Sequence, residues 1–193
     1  MSSCRILLAF AMAAFLVGCA HPIVIGPTQT PARYAESLIN KNVAYVLSES
    51  ERSKEVTTDG GGGDSVSYFP YRDLEKGIRD ALRAVYADVY VIRSTKDTTA
   101  IKSGNISYIF IPEISTSSSS PSIFTWPPTK FTIEISCNVF DADGNLLTQV
   151  HAKGSGEAEF SEFVPEFGLA GRRAANDLSE NFKRAVSADQ KLR

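Results

Sequence analysis

The residues of this chain best able to do chemistry are three cysteines, Cys4, Cys19 and Cys137, and two histidines, His21 and His151. A thiol can serve as nucleophile, metal ligand, disulfide partner or acyl acceptor, and a neighbouring imidazole can supply the base. The spacing supports few of these uses. Cys4 precedes and Cys19 closely follows an apolar amino-terminal run, while Cys137 stands alone in an alternating segment, FTIEISCNVFD. No metal-spaced cluster of Cys and His occurs. Neither histidine accompanies a G-x-S-x-G or other nucleophile motif. Carboxylates are plentiful, but their pairing in space is not written in their spacing. The sequence therefore points to a protein that is not an enzyme, with no catalytic residue, no metal and no cofactor.

The thiol with the most informative surroundings is Cys19. Residues 1–19 read MSSCRILLAFAMAAFLVGC, with one positive charge at Arg5, an apolar run from Ile6 to Val17 and small residues at the end. A short basic start, an apolar stretch of this length and a small-residue finish describe an export signal rather than a spanning helix. Leu16-Val17-Gly18-Cys19 resembles a bacterial lipobox. That resemblance implies cleavage after Gly18, a lipid on the Cys19 thiol and acylation of the new amino group, palmitate being a common acyl group there. Two or more acyl chains hold a protein firmly, at roughly 0.8 kcal/mol per buried CH₂. Ala20 follows the cysteine where an Asp would imply retention at the inner membrane. In Gram-negative lipoproteins the pattern implies an outer-membrane location, with the domain facing the periplasm.

Removing 18 of the 193 residues leaves 175, enough for one domain with a real core. Composition is ordinary, at 43% hydrophobic and 22% charged. Losing Arg5 with the signal takes the formal charge from −2 to −3. That leaves no electrostatic footprint for nucleic acid. With Cys4 removed and Cys19 acylated, Cys137 is the only free thiol and no internal disulfide can form.

The expected organisation is a signal at 1–18, an anchor and tether at 19–41, and one domain at 42–193. Pro22, Pro27 and Pro31 suggest an extended tether. At about 3 Å per residue, ten such residues would hold the domain at most about 30 Å from the membrane. Residues 32–40 suggest a short helix. Residues 42–48 (NVAYVLS) read as a strand covered on both faces. Residues 49–68 turn polar and contain Gly60-Gly61-Gly62-Gly63-Asp64. A phosphate-binding loop needs a Lys-Ser/Thr pair after its second glycine, so this run reads as a flexible loop.

Residues 71–87 are the clearest helix, with Leu74, Ile78, Ala81, Leu82 and Val85 on one side. Strands are expected at 88–94 and 105–115, the latter reaching a sheet edge or bulge at Pro112. Residues 116–130 (TSSSSPSIFTWPPTK) read as a long loop whose Phe124 and Trp126 are candidate partner contacts. Residues 131–141 alternate, with Phe131, Ile133, Ile135, Cys137 and Val139 facing inward. Asp143-Gly144 marks a hairpin into a strand at 146–158. A calcium loop there would need further acidic ligands that do not follow. Four glutamates at 157–166 read as a solvated connection, and a final helix spans 167–188.

The order strand, helix, four strands, helix predicts an α+β domain. Its mixed, mainly antiparallel sheet would have four or five strands, with two amphipathic helices packed on one face. The strand-helix-strand run at 71–93, the SYIFIP strand and the 141–145 hairpin before a terminal helix resemble small Gram-negative lipoproteins of the YajG type. They also resemble the group around the TolB amino-terminal domain and the curli-secretion and lipopolysaccharide-assembly lipoproteins. The resemblance implies an accessory of envelope assembly or secretion, joined to the membrane through Cys19 and to a protein partner. The alternative is a module that binds lipid, glycan or peptidoglycan on the open sheet face.

Overall fold

The computed structural model describes residues 20–121, 123–163 and 166–193. Among the described residues, eight strands form two sheets. In chain order they are β1 (His21–Pro22), β2 (Ile39–Val46), β3 (Val56–Asp59), β4 (Ser65–Tyr68), β5 (Tyr86–Ile92), β6 (Ile106–Ser119), β7 (Lys130–Asp141) and β8 (Leu146–Glu157). The helices are α1 (Glu49–Arg52), α2 (Pro70–Arg83), α3 (Thr98–Ser103) and α4 (Leu169–Ala188). The main sheet runs β5-β2-β6-β7-β8. β2 is parallel to both β5 and β6, and β6, β7 and β8 are antiparallel to one another. The α+β class with a mixed five-stranded sheet is as expected.

The alternation of β7 decides how this sheet is covered. Phe131, Ile133, Ile135, Cys137 and Val139 are all buried, in one core with Leu74, Ile78 and Leu82 of α2 and Ala174, Leu178 and Phe182 of α4. Each such large side chain contributes about 1.5–3 kcal/mol by leaving water. β2 lies mid-sheet, and Val43, Ala44 and Tyr45 are buried on both faces. On the second face Ala44, Ile92, Ile101, Ile106 and Ile109 form a smaller cluster beneath α3.

Helix α2 starts on Pro70, with Asp73 in its first turn and Arg83 in its last, which complements the helix dipole. α4 lies close on β8 because the strand offers glycine where the helix offers alanine. A Cβ on Gly154 would fall 2.2 Å from the Ala174 carbonyl oxygen, and one on Gly156 would fall 2.1 Å from that of Ala170. The two helices meet where Gly77 faces Ser179, whose Oγ would be 2.6 Å from an added Cβ.

Pro112 resolves differently from a plain edge position. β2 pairs with β6 only as far as Phe110, so Pro112 lies beyond the end of that ladder while still opposite Cys137 of β7. The Ile114 N–H, two residues on and therefore on the same side of the strand, donates to the Tyr71 hydroxyl at 3.2 Å.

Residues 20–31 depart most from expectation. They are not a free tether. His21 and Pro22 pair with Val66 and Ser67 of β4. Ile23 and Ile25 enter the core. The Ile25 N–H donates to the Asp73 carboxylate at 3.3 Å, and the Thr28 and Gln29 N–H groups share the Asn176 side-chain oxygen at 2.9 and 3.0 Å. The prolines keep the segment extended, but a groove beside α2 and α4 takes it in. Residues 21–25 thus pair and pack with residues beyond 42.

The helix expected at 32–40 is only a 3₁₀ turn at Ala35–Ser37, because β2 begins at Ile39. Residues 49–68 are not one flexible loop. They form α1 and the β3–β4 hairpin, which joins β1 in a three-stranded sheet. A seam of hydroxyls fastens this sheet to β6: Thr58 to Ser118 at 2.6 Å and Tyr68 to Thr116 at 2.7 Å. β6 therefore runs on through Ser119, and the loop expected from 116 begins four residues later.

The carboxyl end closes the molecule. Leu192 is fully buried, and its carbonyl accepts from the Tyr86 hydroxyl at 3.1 Å. The Arg193 carbonyl oxygen accepts from Lys41 at 2.8 Å and Tyr108 at 3.2 Å.

Candidate functional site

Cys19 lies outside the described residues, but it is bonded to Ala20, which is described. The surface around that point is built from three loops. His21 of β1 stacks on Trp126, with ring centroids 4.2 Å apart and planes at 22°. Its Nε2 is 3.7 Å from Asp64. Trp126 also meets Phe167 at 4.7 Å. The loop carrying Trp126 rests on the β3–β4 turn, and the Trp126 carbonyl accepts the Gly61 N–H at 2.9 Å. Only glycine allows that approach. A Cβ on Gly60 would fall 2.3 Å from the Trp126 carbonyl oxygen, and one on Gly61 would fall 1.9 Å from that of Thr125. The glycine run is thus a seat for the loop.

The two aromatics singled out from sequence have different settings. Phe124 is 90% exposed, beside Ile123 at 74%. Trp126 is half-buried between His21 and Phe167. Three further exposed apolar side chains complete the rim. Val24 lies against Gly168, just after Phe167. Phe160, 68% exposed, shares a shallow cleft with Pro121 and Thr129. Sequence reading placed His21 and Val24 in a tether, Phe160 among the glutamates and Phe167 at the start of the final helix. Only the fold brings them together.

A second region is an apolar groove of about 610 Å³ on the sheet face away from α2 and α4. Ile101 of α3, Ile106, Ile109 and Ile111 of β6, and Phe140 of β7 line it. Asn105, at φ +47, turns the chain from α3 into β6 at its edge.

A third is a polar cleft of about 640 Å³ over β7 and β8, with Glu113, Glu134, Ser136, His151 and Lys153. Lys153 pairs with Glu134 at 2.9 Å, and both are largely exposed. The His151 ring meets Gln149 at 3.0 Å. Among the described residues no hydrogen bond links His151 to Ser136. These side chains make a polar, partly ion-paired strand surface.

The Cys137 thiol is fully buried, and burial pushes its pKa well up, away from the reactive thiolate. At the hairpin, the Asp141 carboxylate accepts from the N–H groups of Asp143 and Asn145 and from the Asn145 side chain, at 3.0, 2.8 and 2.9 Å. The Asn145 bonds in particular hold its pKa below the usual range. Its oxygens serve the turn, and Gly144 closes it at φ +88. Among the described residues no three His, Cys, Asp or Glu side chains converge as a metal site, and no helix is long and apolar enough to cross a membrane.

No family model matches the chain, and no curated protein does. Several solved structures share its course. Protein XCC0632 from Xanthomonas campestris, of the DUF330 family model, is 10% identical with a TM-score of 0.48, over 89% of this chain and 95% of that one. The PelC dodecamer from Paraburkholderia phytofirmans is 12% identical with a TM-score of 0.43, over 80% and 94%. At these identities and scores the likenesses assign neither family nor role.

Proposed function

We propose that this chain is a lipid-anchored, non-catalytic protein of the bacterial cell envelope. It is held in the outer membrane through Cys19, faces the periplasm, and serves envelope assembly or secretion through contacts with a protein partner. The observation that carries the reading is Leu16-Val17-Gly18-Cys19 at the end of a basic-then-apolar leader.

A second reading rests on one specific feature. The apolar groove lined by Ile101, Ile109 and Phe140 has the size and lining of a small-ligand site, which favours a lipid or another apolar ligand.

The test is intact mass and membrane fractionation of the wild type beside Cys19→Ala. The expected wild type carries the mass of its acyl chains and is recovered with the outer membrane, whereas Cys19→Ala is unmodified and loses that recovery. A wild type that is soluble and unmodified refutes the anchor. A lipid that co-purifies with Cys19→Ala favours the second reading.

A further inference from the structure

We infer that the rim around the amino terminus, formed by Val24, Ile123, Phe124, Trp126, Phe160 and Phe167, is a membrane-contact surface on which the domain rests against the bilayer holding Cys19. This inference rests on the lipid-anchor reading.

The first argument is reach. His21 is already paired in β1 and stacked on Trp126, and Ile23 and Ile25 are core residues. Only Ala20 separates Cys19 from this fixed chain. Successive Cα atoms are about 3.8 Å apart, so the Cα of Cys19 lies within about 7.6 Å of that of His21. An acylated Cys19 therefore brings the rim to the headgroup region, and the 30 Å stand-off of a free tether does not exist.

The second argument is composition. Ile123 and Phe124 are the most exposed large apolar residues in the described structure, with Phe160 close behind. Ile123 and Phe124 stand on the loop of Trp126, whose ring meets Phe167, and Phe160 shares a cleft with Pro121 of that loop; neighbouring exposed apolar side chains mark interaction surfaces. Aromatic rings at such a level suit the interface between lipid and water.

The third argument is charge. The carboxylates of the rim are mostly matched: Glu157 by Lys130, Glu162 by Arg173 and Glu166 by Arg172, while Asp64 faces His21. With no cationic excess, the surface suits zwitterionic lipid and has no need of anionic headgroups. A protein partner could also use exposed aromatics. However, the covalent anchor holds the bilayer at the rim at high effective concentration before any partner arrives.

The sequence supplies its own probe, because Trp126 is the only tryptophan. The acylated full-length protein is placed in dioleoylphosphatidylcholine vesicles, with and without brominated phosphatidylcholine. Trp126 fluorescence is expected to fall by about half or more with bromines some 5–10 Å below the headgroups. Bromines near the bilayer centre should have a smaller effect. Ile123→Ser/Phe124→Ser should stay vesicle-bound through its acyl chains yet lose most of the quenching. Protein that is bound but unquenched overturns the inference and leaves the anchor standing; this is also the result expected if the rim serves a protein. Equal quenching in the double variant overturns it as well, because contact would then not run through these side chains. Protein that is neither acylated nor bound overturns both the inference and the anchor.

Discussion

At the scale of single residues, the arrangement that most affects behaviour with pH is Glu162. Its carboxylate accepts from both Arg173 guanidinium nitrogens, at 2.6 and 3.1 Å, and from the Glu159 N–H at 2.9 Å. The Arg173 hydrogen bond, then that N–H, lowers its pKa from 4.5 to about 2. A carboxyl depressed in the folded state stabilises above its unfolded pKa and loses that stabilisation as pH falls through the folded value. Glu162→Gln should therefore melt below wild type at pH 7, and the gap should close between about pH 4.5 and 2. Thermal melts across that range check it. The group is exposed, so the gap should also shrink in high salt. Which residues bear chemistry was partly readable in advance. Cys137 falls on the apolar parity of an alternating run, so its burial follows from the pattern. The stacking of His21 on Trp126 joins residues 105 positions apart, and no local pattern encodes it.

At the scale of elements, the seam between β8 and α4 shows how far a pattern can be read. Glycines in a strand suggest weakening or bending. Here Gly154 and Gly156 instead admit Ala174 and Ala170 at backbone distance. Gly154→Ala should lower stability by about 3 kcal/mol, because the overlap is with backbone that cannot rotate away. Ser155→Ala, on the exposed side of the same strand, should cost far less. Urea unfolding of both separates packing from strand propensity. The strands rich in apolar residues, β2, β5 and β7, were legible because burial imprints its period on the sequence. β3, β4 and the end of β6 were not. They are built from serine and threonine whose hydroxyls bond across the seam at Thr58–Ser118 and Tyr68–Thr116. A strand fastened by hydroxyls looks in sequence like a polar loop.

At the scale of the whole molecule, the α+β layering followed from element order, and the amino-terminal segment did not. Pro22, Pro27 and Pro31 correctly signal extended chain, but extension does not imply solvent. Pro27 lies against Gly77, and Ile25 lies against Gly171. Ile25→Ala should cost about 2–5 kcal/mol, as for other buried isoleucines. In a free tether the same change would cost nothing, so a thermal or urea melt distinguishes the two. The molecule also has two ends. The rim lies beyond the end of β6 at Ser119, whereas the apolar groove lies near Ile109. At about 3.3 Å per residue these are roughly 33 Å apart along the strand. A domain seated on its rim would present the groove away from the membrane.

Ile25 and Leu192, far apart in the sequence, are built into the same core. In any chain made amino end first, Ile25 precedes α4 by well over a hundred residues, so its contact with Gly171 waits for that helix. The strands of the sheet all precede α4 in the sequence, so that helix is the later part of their cover. A chain that stops short of α4 would thus hold the sheet without half of its cover, and Ile25 without its neighbour.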